Sequence, residues 1–192
     1  MLTSATLYDP LNAQPWSRVE QSFDANGKKT LEKQYNDDGT RTEITFNVST
    51  GAQQHIDYFN ASNVRTTSMD YDLANIAAWT RAQQNYDASG RVTYRAEFND
   101  NGTETTYTYD PSNAQPWSSI VQTFNTAAQL TTQTQYNDDG TRNVATFDPT
   151  NVQTWSRLDE TYDASGRLTY QLFYNDNGQD RKSTRLNSSH VD

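Results

Sequence analysis

Residues of alternating polarity form short runs along most of the chain, and each run ends in a turn rich in Asp, Asn and Gly. In the run 167–174, every second residue from Leu168 to Tyr174 is Leu or Tyr, and the residues between them are polar. The run containing Val92, Tyr94, Ala96 and Phe98 alternates in the same way. A period of two is the period of a β-strand. The pattern therefore predicts short strands with one modestly apolar face and one polar face.

The runs recur at regular intervals, which indicates a tandem-repeat protein. An aromatic residue followed by Asp or Asn repeats with successive spacings of 15, 12 and 11 residues, so the unit has 38 residues and three strands. Between Phe46 and Tyr71 the unit shortens, because the 15-residue segment is missing. The predicted repeats are 8–45, 46–70 (shortened), 71–108, 109–146 and 147–179 (incomplete), in a single repeat domain over 1–179.

The turns between the runs are typical of antiparallel hairpins. Gly39 and Gly140 follow an Asn-Asp-Asp sequence, where a left-handed residue without a Cβ closes a type I turn. The predicted turn glycines are Gly27, Gly39, Gly90, Gly102, Gly140, Gly166 and Gly178. We therefore predict an all-β fold, an antiparallel β-meander of tandem hairpin repeats in an elongated, twisted or coiled sheet. Stacked aromatic pairs across neighbouring strands are expected to supply most of its side-chain stabilisation.

The 15-residue segments carry a Trp after a loop that is rich in Pro and Asn. Residues 9–16 recur almost unchanged as residues 110–117. The tryptophans are Trp16, Trp79, Trp117 and Trp155. By parity, Trp16 is expected on the face opposite to Val19 and Phe23. Each Trp either packs over its own loop or forms a stacking platform for a sugar ring. Because a unit has three strands, successive tryptophans are expected at alternating edges of the sheet, which disfavours one continuous groove.

Composition and charge exclude several function classes. Hydrophobic residues make up 33% of the 192-residue chain and charged residues 20%, while aromatics reach 12%, so disorder is not expected. The absence of Cys excludes disulfides and thiolate metal sites. The net charge of −9 disfavours nucleic acid as a partner. No apolar run approaches the roughly 18 residues of a membrane-spanning helix, so no membrane insertion is expected.

Little in the sequence points to catalysis or to a cofactor, and we expect no enzyme. His55 is the only His outside the last residues and lacks a repeated partner, so it is expected to be an ordinary strand residue. Acidic pairs occur at two turn tips, where turn formation accounts for them. The pairs are Asp37 with Asp38, and Asp138 with Asp139. Because Ca²⁺ prefers such oxygen ligands, weak calcium binding between adjacent tips is an alternative, although no EF-hand spacing is present.

The ends of the sequence interrupt the repeat. Residues 1–8 align with residues 39–46, so the chain is expected to start within a repeat. After residue 179 the pattern stops, and residues 180–190 resemble the translation of a common sequencing adapter. Residues 180–192 are therefore predicted to be a non-native tail. We expect the rest to be a metagenomic fragment of a longer repeat protein.

Several turn motifs resemble a known family. The sequences YDASGRVTY (86–94), YDASGRLTY (162–170) and FDANGKKT (23–30) resemble YD repeats of the Rhs and teneurin type. Together with YNDDGTR at 35–41 and 136–142, they look closer to tandem repeats in large secreted proteins of rhizobial and related alphaproteobacteria. The resemblance implies strips of hairpins in an extracellular or cell-surface protein. The units here are shorter than YD repeats, and the calcium-binding nonapeptide is missing.

These observations lead to an expected function with two alternatives. The expected function is a non-enzymatic structural or interaction segment, such as a spacer, shell or adhesive stalk, in a larger secreted bacterial protein. The first alternative is a carbohydrate- or cell-wall-binding module that uses the repeated Trp, and the second is a weak calcium-binding repeat. Expected partners are neighbouring repeats, polysaccharide in the first alternative, and other copies through open strand edges.

Overall fold

The computed structural model describes residues 3–176. It also describes the strand 180–185, there by its backbone alone. All regular structure in these residues is β-strand, and successive strands pair antiparallel in chain order within each of two compact units, Met1–Asp100 and Asn101–Asp192. The predicted all-β antiparallel meander is therefore confirmed. The first unit holds β1 (Ser4–Tyr8), β2 (Trp16–Phe23), β3 (Lys29–Asn36), β4 (Arg41–Phe46), β5 (Gln53–Phe59), β6 (Arg65–Tyr71), β7 (Trp79–Tyr86) and β8 (Val92–Asn99). The second holds β9 (Glu104–Tyr109), β10 (Trp117–Phe124), β11 (Leu130–Asn137), β12 (Arg142–Phe147), β13 (Trp155–Tyr162), β14 (Leu168–Asn175) and β15 (Asp180–Arg185).

A side chain at the start of each short turn closes the hairpin. The Asp24 carboxylate accepts hydrogen bonds from the backbone N–H groups of Asn26 (2.8 Å) and Lys28 (2.9 Å). This is an Asx turn, in which the side chain replaces one backbone acceptor. In the corresponding turn at Asn125, the left-handed position is held by Ala128 with φ 57°. Predicted turn glycines have φ between 78° and 83° at Gly27, Gly39, Gly90, Gly102, Gly140 and Gly166, whereas Gly178 lies outside the described residues.

Bulges next to these turns change which side chains share a face. Asn85 pairs with Tyr94 and the next residue, Tyr86, pairs with Val92. Paired residues share a face and successive residues alternate, so Val92 and Tyr94 lie on opposite faces. The alternation predicted for this run is therefore wrong at its first residue. A bulge of this kind arises from pairing with the next strand, so the odd or even position of a residue within its own strand does not reveal it.

The sheet of each unit has almost no buried core. Among the described residues, the buried apolar side chains are Val19, Ile56, Ala82 and Ala96. Within each unit, a strand contacts the strands next to it in sequence. Stability therefore depends on the backbone ladder and on contacts between side chains of neighbouring strands.

On one face of the first unit, arginines alternate with aromatic rings across the strands. We call the face that carries Arg18 the Arg18 face, and the opposite one the Val19 face. The row, here called the arginine–aromatic ladder, runs through Tyr8, Arg18, Tyr35, Arg41, Phe59, Arg65 and Tyr86. The guanidinium of Arg41 lies 4.0 Å from the Phe59 ring centroid, and that of Arg18 lies 3.9 Å from the Tyr35 ring.

In this ladder, arginine guanidinium groups pack against the aromatic rings in the place where we expected other aromatic rings. A guanidinium packs on an aromatic face and keeps its polar edge in water, which suits a sheet without a second layer. In this ladder the prediction of aromatic pairs across strands is wrong. Ring-to-ring contacts do occur in the second unit, between Trp155 and Phe173 at 6.4 Å and between Tyr107 and Tyr109 at 6.3 Å.

The last described strand, β15, extends the second unit. It pairs antiparallel with β14, starting with Tyr174 opposite Asp180. The register shifts by one residue between Gln171 and Phe173. Residues 186–192 of the predicted non-native tail lie outside the described residues. The foreign origin of the tail stays a prediction.

Candidate functional site

The Trp-bearing loops have a common architecture. In the loop before Trp79, the Asp72 carboxylate accepts a hydrogen bond from the Ala77 N–H at 2.6 Å. Asn75 takes a left-handed conformation with φ 52° and donates its N–H to the Asp72 carbonyl at 3.2 Å. The Ala78 carbonyl accepts the N–H of Asp100 at 3.1 Å, which ties the loop to the next turn. Equivalent left-handed residues are Asn12, Asn113 and Asn151.

A bulge at the start of each Trp strand moves the Trp to the other face. Trp16 pairs with Asn36, whereas Arg18, two residues later, pairs with Tyr35. Asn36 and Tyr35 are successive residues and point to opposite faces. Trp16 therefore lies on the Val19 face, and the parity prediction that separated it from Val19 is wrong. The same register shift occurs at Trp79, Trp117 and Trp155.

The two tryptophans of each unit lie on opposite faces of the sheet and at opposite ends of the strands. Trp16 follows the loop between β1 and β2, and Trp79 follows the loop between β6 and β7, so their loops are at opposite ends of the strands. Trp79 pairs with Asn99, which shares the Arg18 face with Arg95, so it also lies on the face opposite to Trp16. In the second unit, Trp117 and Trp155 are related in the same way. The tryptophans of one unit do not form one continuous surface.

Trp79 borders a groove in the first unit. The groove has a volume of about 530 Å³ and lies on the Arg18 face, beneath the 72–78 loop. The guanidinium of Arg95 lies 5.9 Å from the Trp79 ring centroid and pairs with Glu97 at 2.8 Å. Ile76 at the rim is 88% exposed. Thus an aromatic ring, an exposed aliphatic side chain and charged groups share one concave surface.

His55 lines this groove together with Asp70, and a second acidic residue, Asp57, lies on the other side of its ring. Its Nδ1 lies 2.6 Å from the Asp70 carboxylate, and its Nε2 lies 3.1 Å from Asp57. Burial of the imidazole lowers its pKa, but the hydrogen bonds to Asp70 and Asp57 outweigh burial, so the pKa of His55 is raised. Two carboxylates facing the two ring nitrogens favour the doubly protonated, charged imidazole.

Sequence reasoning missed this cluster. His55, Asp57 and Asp70 come from β5 and β6 of the shortened repeat, which has no second copy to compare with it. The one available signal was the alternation of His55 and Asp57 on one strand face, which two positions alone do not distinguish from chance. Asp70 and Arg95 reach the groove through strand pairing, so no local motif contains them.

One acidic residue of each turn pair closes its turn. The Asp38 carboxylate accepts hydrogen bonds from the Thr40 hydroxyl (2.7 Å) and the Thr40 N–H (2.9 Å), which lower the pKa of Asp38. Asp139 makes the same bonds to Thr141, and its pKa is lowered for the same reason. These bonds occupy one carboxylate of each predicted pair. The first members, Asp37 and Asp138, follow the Asn that opens the turn.

Calcium binding stays a prediction. In the part of the chain that the structure describes, no group of three or more His, Cys, Asp or Glu side chains could hold a metal ion. Thermal melting in millimolar Ca²⁺, followed by a chelator, measures whether adjacent tips bind the ion weakly. A melting temperature that rises and then returns would support the calcium alternative.

The described residues contain no helix long and apolar enough to cross a membrane.

Comparisons with known proteins identify no family for this chain. No protein-family model and no curated protein matches it. Among solved structures, the chain is similar to a mutant of S. aureus TarM in complex with fondaparinux, alpha-GlcNAc-glycerol and UDP, at 14% identity and a TM-score of 0.39 over 66% of this chain and 22% of that one. A second TarM structure matches at 11% identity and a TM-score of 0.34, over 67% of this chain and 20% of that one. The chain thus spans about a fifth of the length of the TarM chains it matches.

Proposed function

We propose that residues 1–179 form a non-enzymatic structural or interaction segment, a spacer, shell or adhesive stalk, within a larger secreted bacterial protein. The observation that carries this proposal is the repetition of one strand-and-turn element with the same pairing through each unit. A fold of this kind gains length when 38-residue repeats are added, because each strand is stabilised by contacts with the two strands next to it. Secretion and an extracellular or cell-surface location rest on the sequence resemblance to large secreted repeat proteins.

The proposal is tested by removing one whole 38-residue repeat. Deletion of residues 109–146 joins Thr108 to Phe147, so a β9 strand that again ends in an aromatic residue leads into the loop before Trp155. We expect the shortened chain to fold with the same far-UV circular dichroism per residue and to unfold cooperatively. A matched control deletes residues 115–152, which also number 38 but start and end inside two loops. It should behave in the same way, because the phase of the repeat is kept.

A deletion out of phase provides the contrast. Removing residues 109–129 takes out 21 residues and joins Thr108 to Leu130, so β9 runs directly into β11 without the strand and the turn that separate them. This variant should lose most of its β-sheet signal. If the two 38-residue deletions unfold the chain as completely as the 21-residue deletion does, the segment does not consist of interchangeable repeats and the proposal fails.

A second candidate function is supported by the groove at Trp79. An indole ring beside Arg95 and Asp70 offers the combination that sugar rings need, an apolar platform with hydrogen-bonding groups around it. We propose saccharide binding at this groove as the alternative, with a single site in the first unit in place of a row of tryptophans. The opposite faces of Trp16 and Trp79 disfavour binding of one chain across both.

Tryptophan fluorescence separates the two functions. Titration with soluble polysaccharides to millimolar sugar should leave the emission unchanged if the segment is structural. A saturable change that disappears in Trp79→Phe and persists in Trp155→Phe would establish the saccharide site. Trp155 is a suitable control because it follows an equivalent loop but packs edge-on against Phe173.

A further inference from the structure

The outer edge of β1 is unusually open to pairing. Its sequence, Ser-Ala-Thr-Leu-Tyr, has no charged residue and no Pro. Leu7 is 46% exposed and Tyr8 is 69% exposed. Among the described residues, β1 pairs with β2 on one side alone. Natural edge strands usually carry charges, prolines or bulges that prevent pairing with other chains, and β1 has none of these devices.

The repeat identifies the strand that fits this edge. Residues 1–8 align with 39–46, so β1 is a strand of the same type as β4 and β12. On the corresponding edge, β4 pairs with β3 and β12 pairs with β11, and both partners end in Tyr-Asn. The chain holds another strand that ends in Tyr-Asn close to its far end, which is β14.

Within the chain, β15 occupies the position that a β4-type strand would take. It begins in the same register, because Tyr174 pairs with Asp180 as Tyr35 pairs with Arg41. The pairing then slips by one residue between Gln171 and Phe173. No such slip occurs between β3 and β4 or between β11 and β12. The tail therefore covers this edge with a poorer match than the repeat itself provides.

We propose that the edge of β14, when β15 is displaced, binds β1 of a second copy of this chain. The register follows from the β3–β4 and β11–β12 pairs: Thr3 lies opposite Tyr174, Ala5 opposite Leu172, and Leu7 opposite Tyr170. Two different surfaces are joined, so any assembly still has one free β1 edge and one free β14 edge, and each added copy uses one edge and supplies another. Contacts of this kind do not close into a dimer and produce linear head-to-tail assemblies.

Because β15 belongs to the same chain as β14, it competes with β1 of a second copy for the β14 edge. A short linker gives a tethered strand an effective concentration in the millimolar range, so at about 100 µM protein a free β1 competes at a disadvantage of about tenfold. Weakening the pairing of β15 with β14 should therefore allow the copies to assemble. Since alternate N–H groups of an edge strand face its neighbour, prolines at two successive positions, Ser183→Pro with Thr184→Pro, remove at least one bond to β14.

Disulfide trapping tests the proposed register. The 192-residue chain has no Cys, so Ala5→Cys and Leu172→Cys are introduced into two separate copies of it that also carry the two prolines. Directly paired residues have Cα atoms about 4.5–5.5 Å apart, within the range of a disulfide. After mixing and mild oxidation, we expect the mixed dimer to form about tenfold more than in proteins whose tail lacks the two prolines.

The matched control shifts one cysteine by one residue. Gln171→Cys replaces Leu172→Cys, and its side chain points to the other face, so the mixed dimer with the Ala5→Cys protein should fall to background. Equal yields from positions 171 and 172 would overturn the register. A product consisting of Ala5→Cys homodimers, or of monomers alone, would overturn the pairing of β1 with β14.

A second measurement needs no cysteine. In light scattering, the double-proline chain should grow in mass with concentration, and adding Leu7→Lys should return it to the mass of a monomer, because a charge on β1 protects the edge. A double-proline chain that stays monomeric at several hundred micromolar would contradict the proposal. These results are independent of the proposed function, which the unit deletions test within one chain.

Discussion

Tyr136 offers a direct test of how the single-layered sheet is stabilised. It corresponds to Tyr35 and Phe98, which are covered by Arg18 and Arg81, but the residue that pairs with Tyr136 on β10 is Ser119, and the Arg142 opposite it on β12 lies over Tyr162. Tyr136 is 42% exposed, whereas Tyr35 and Phe98 are half-buried. The change Ser119→Arg should place a guanidinium over the ring, as Arg81 lies 3.7 Å from the Phe98 centroid.

The size of the effect follows from three contributions. A cation over an aromatic ring at an exposed site stabilises by about 0.5–1 kcal/mol. Covering half of the exposed part of the Tyr136 side chain removes roughly 40 Å² from water, which contributes about 1 kcal/mol. Ordering the long Arg side chain costs about 1 kcal/mol. The expected net gain is about 0.5–1 kcal/mol, or a rise in melting temperature of about 1–4 °C for a chain of this length.

Two variants control the interpretation. Ser119→Gln adds much of the aliphatic stem without the charge and should give less than half of the gain. Arg81→Ser makes the opposite change at the equivalent position, where the next residue on the same face is Gln83 and not an acidic residue, and should cost about the same amount. Urea denaturation measures all three as shifts in midpoint at constant slope. The reasoning is refuted if Ser119→Arg stabilises no more than Ser119→Gln, or if Arg81→Ser leaves stability unchanged.

Two further predictions follow from local geometry. Ala128→Gly should stabilise the chain by about 0.5–1 kcal/mol, because the left-handed conformation penalises a Cβ by more than the added chain entropy costs; Gly90→Ala, in the equivalent turn with open space around it, should destabilise by a similar amount in the same urea titration. The raised pKa of His55 means that its stabilisation is complete below about pH 6.5, the unfolded value, and is lost as pH rises through the higher folded value. His55→Gln should therefore flatten the dependence of stability on pH between about 5.5 and 8, and an unchanged slope would show that the two flanking carboxylates do not hold the imidazolium.

The sequence predicted the parts of the fold that are encoded by neighbouring residues. The Asp24 and Asn36 turns, the 38-residue period and the antiparallel order all follow from turn chemistry and spacing within a few residues. The face of each Trp did not follow, because the bulge at Trp16 exists through pairing with Asn36 on the next strand. The partner of Asp70 was also hidden, since His55 lies 15 residues away and meets it through register alone.

The opposite placement of Trp16 and Trp79 has a consequence for any array built from these units. Inserting one 38-residue repeat adds an odd number of strands. The strands after the insertion therefore run in the opposite direction, and side chains that lay on one face of the sheet lie on the other face. An even number of inserted units restores the original orientation. A flat partner that touches one side would therefore meet the same chemistry at every second unit, and a change in unit number by one would move the contact to the reverse side.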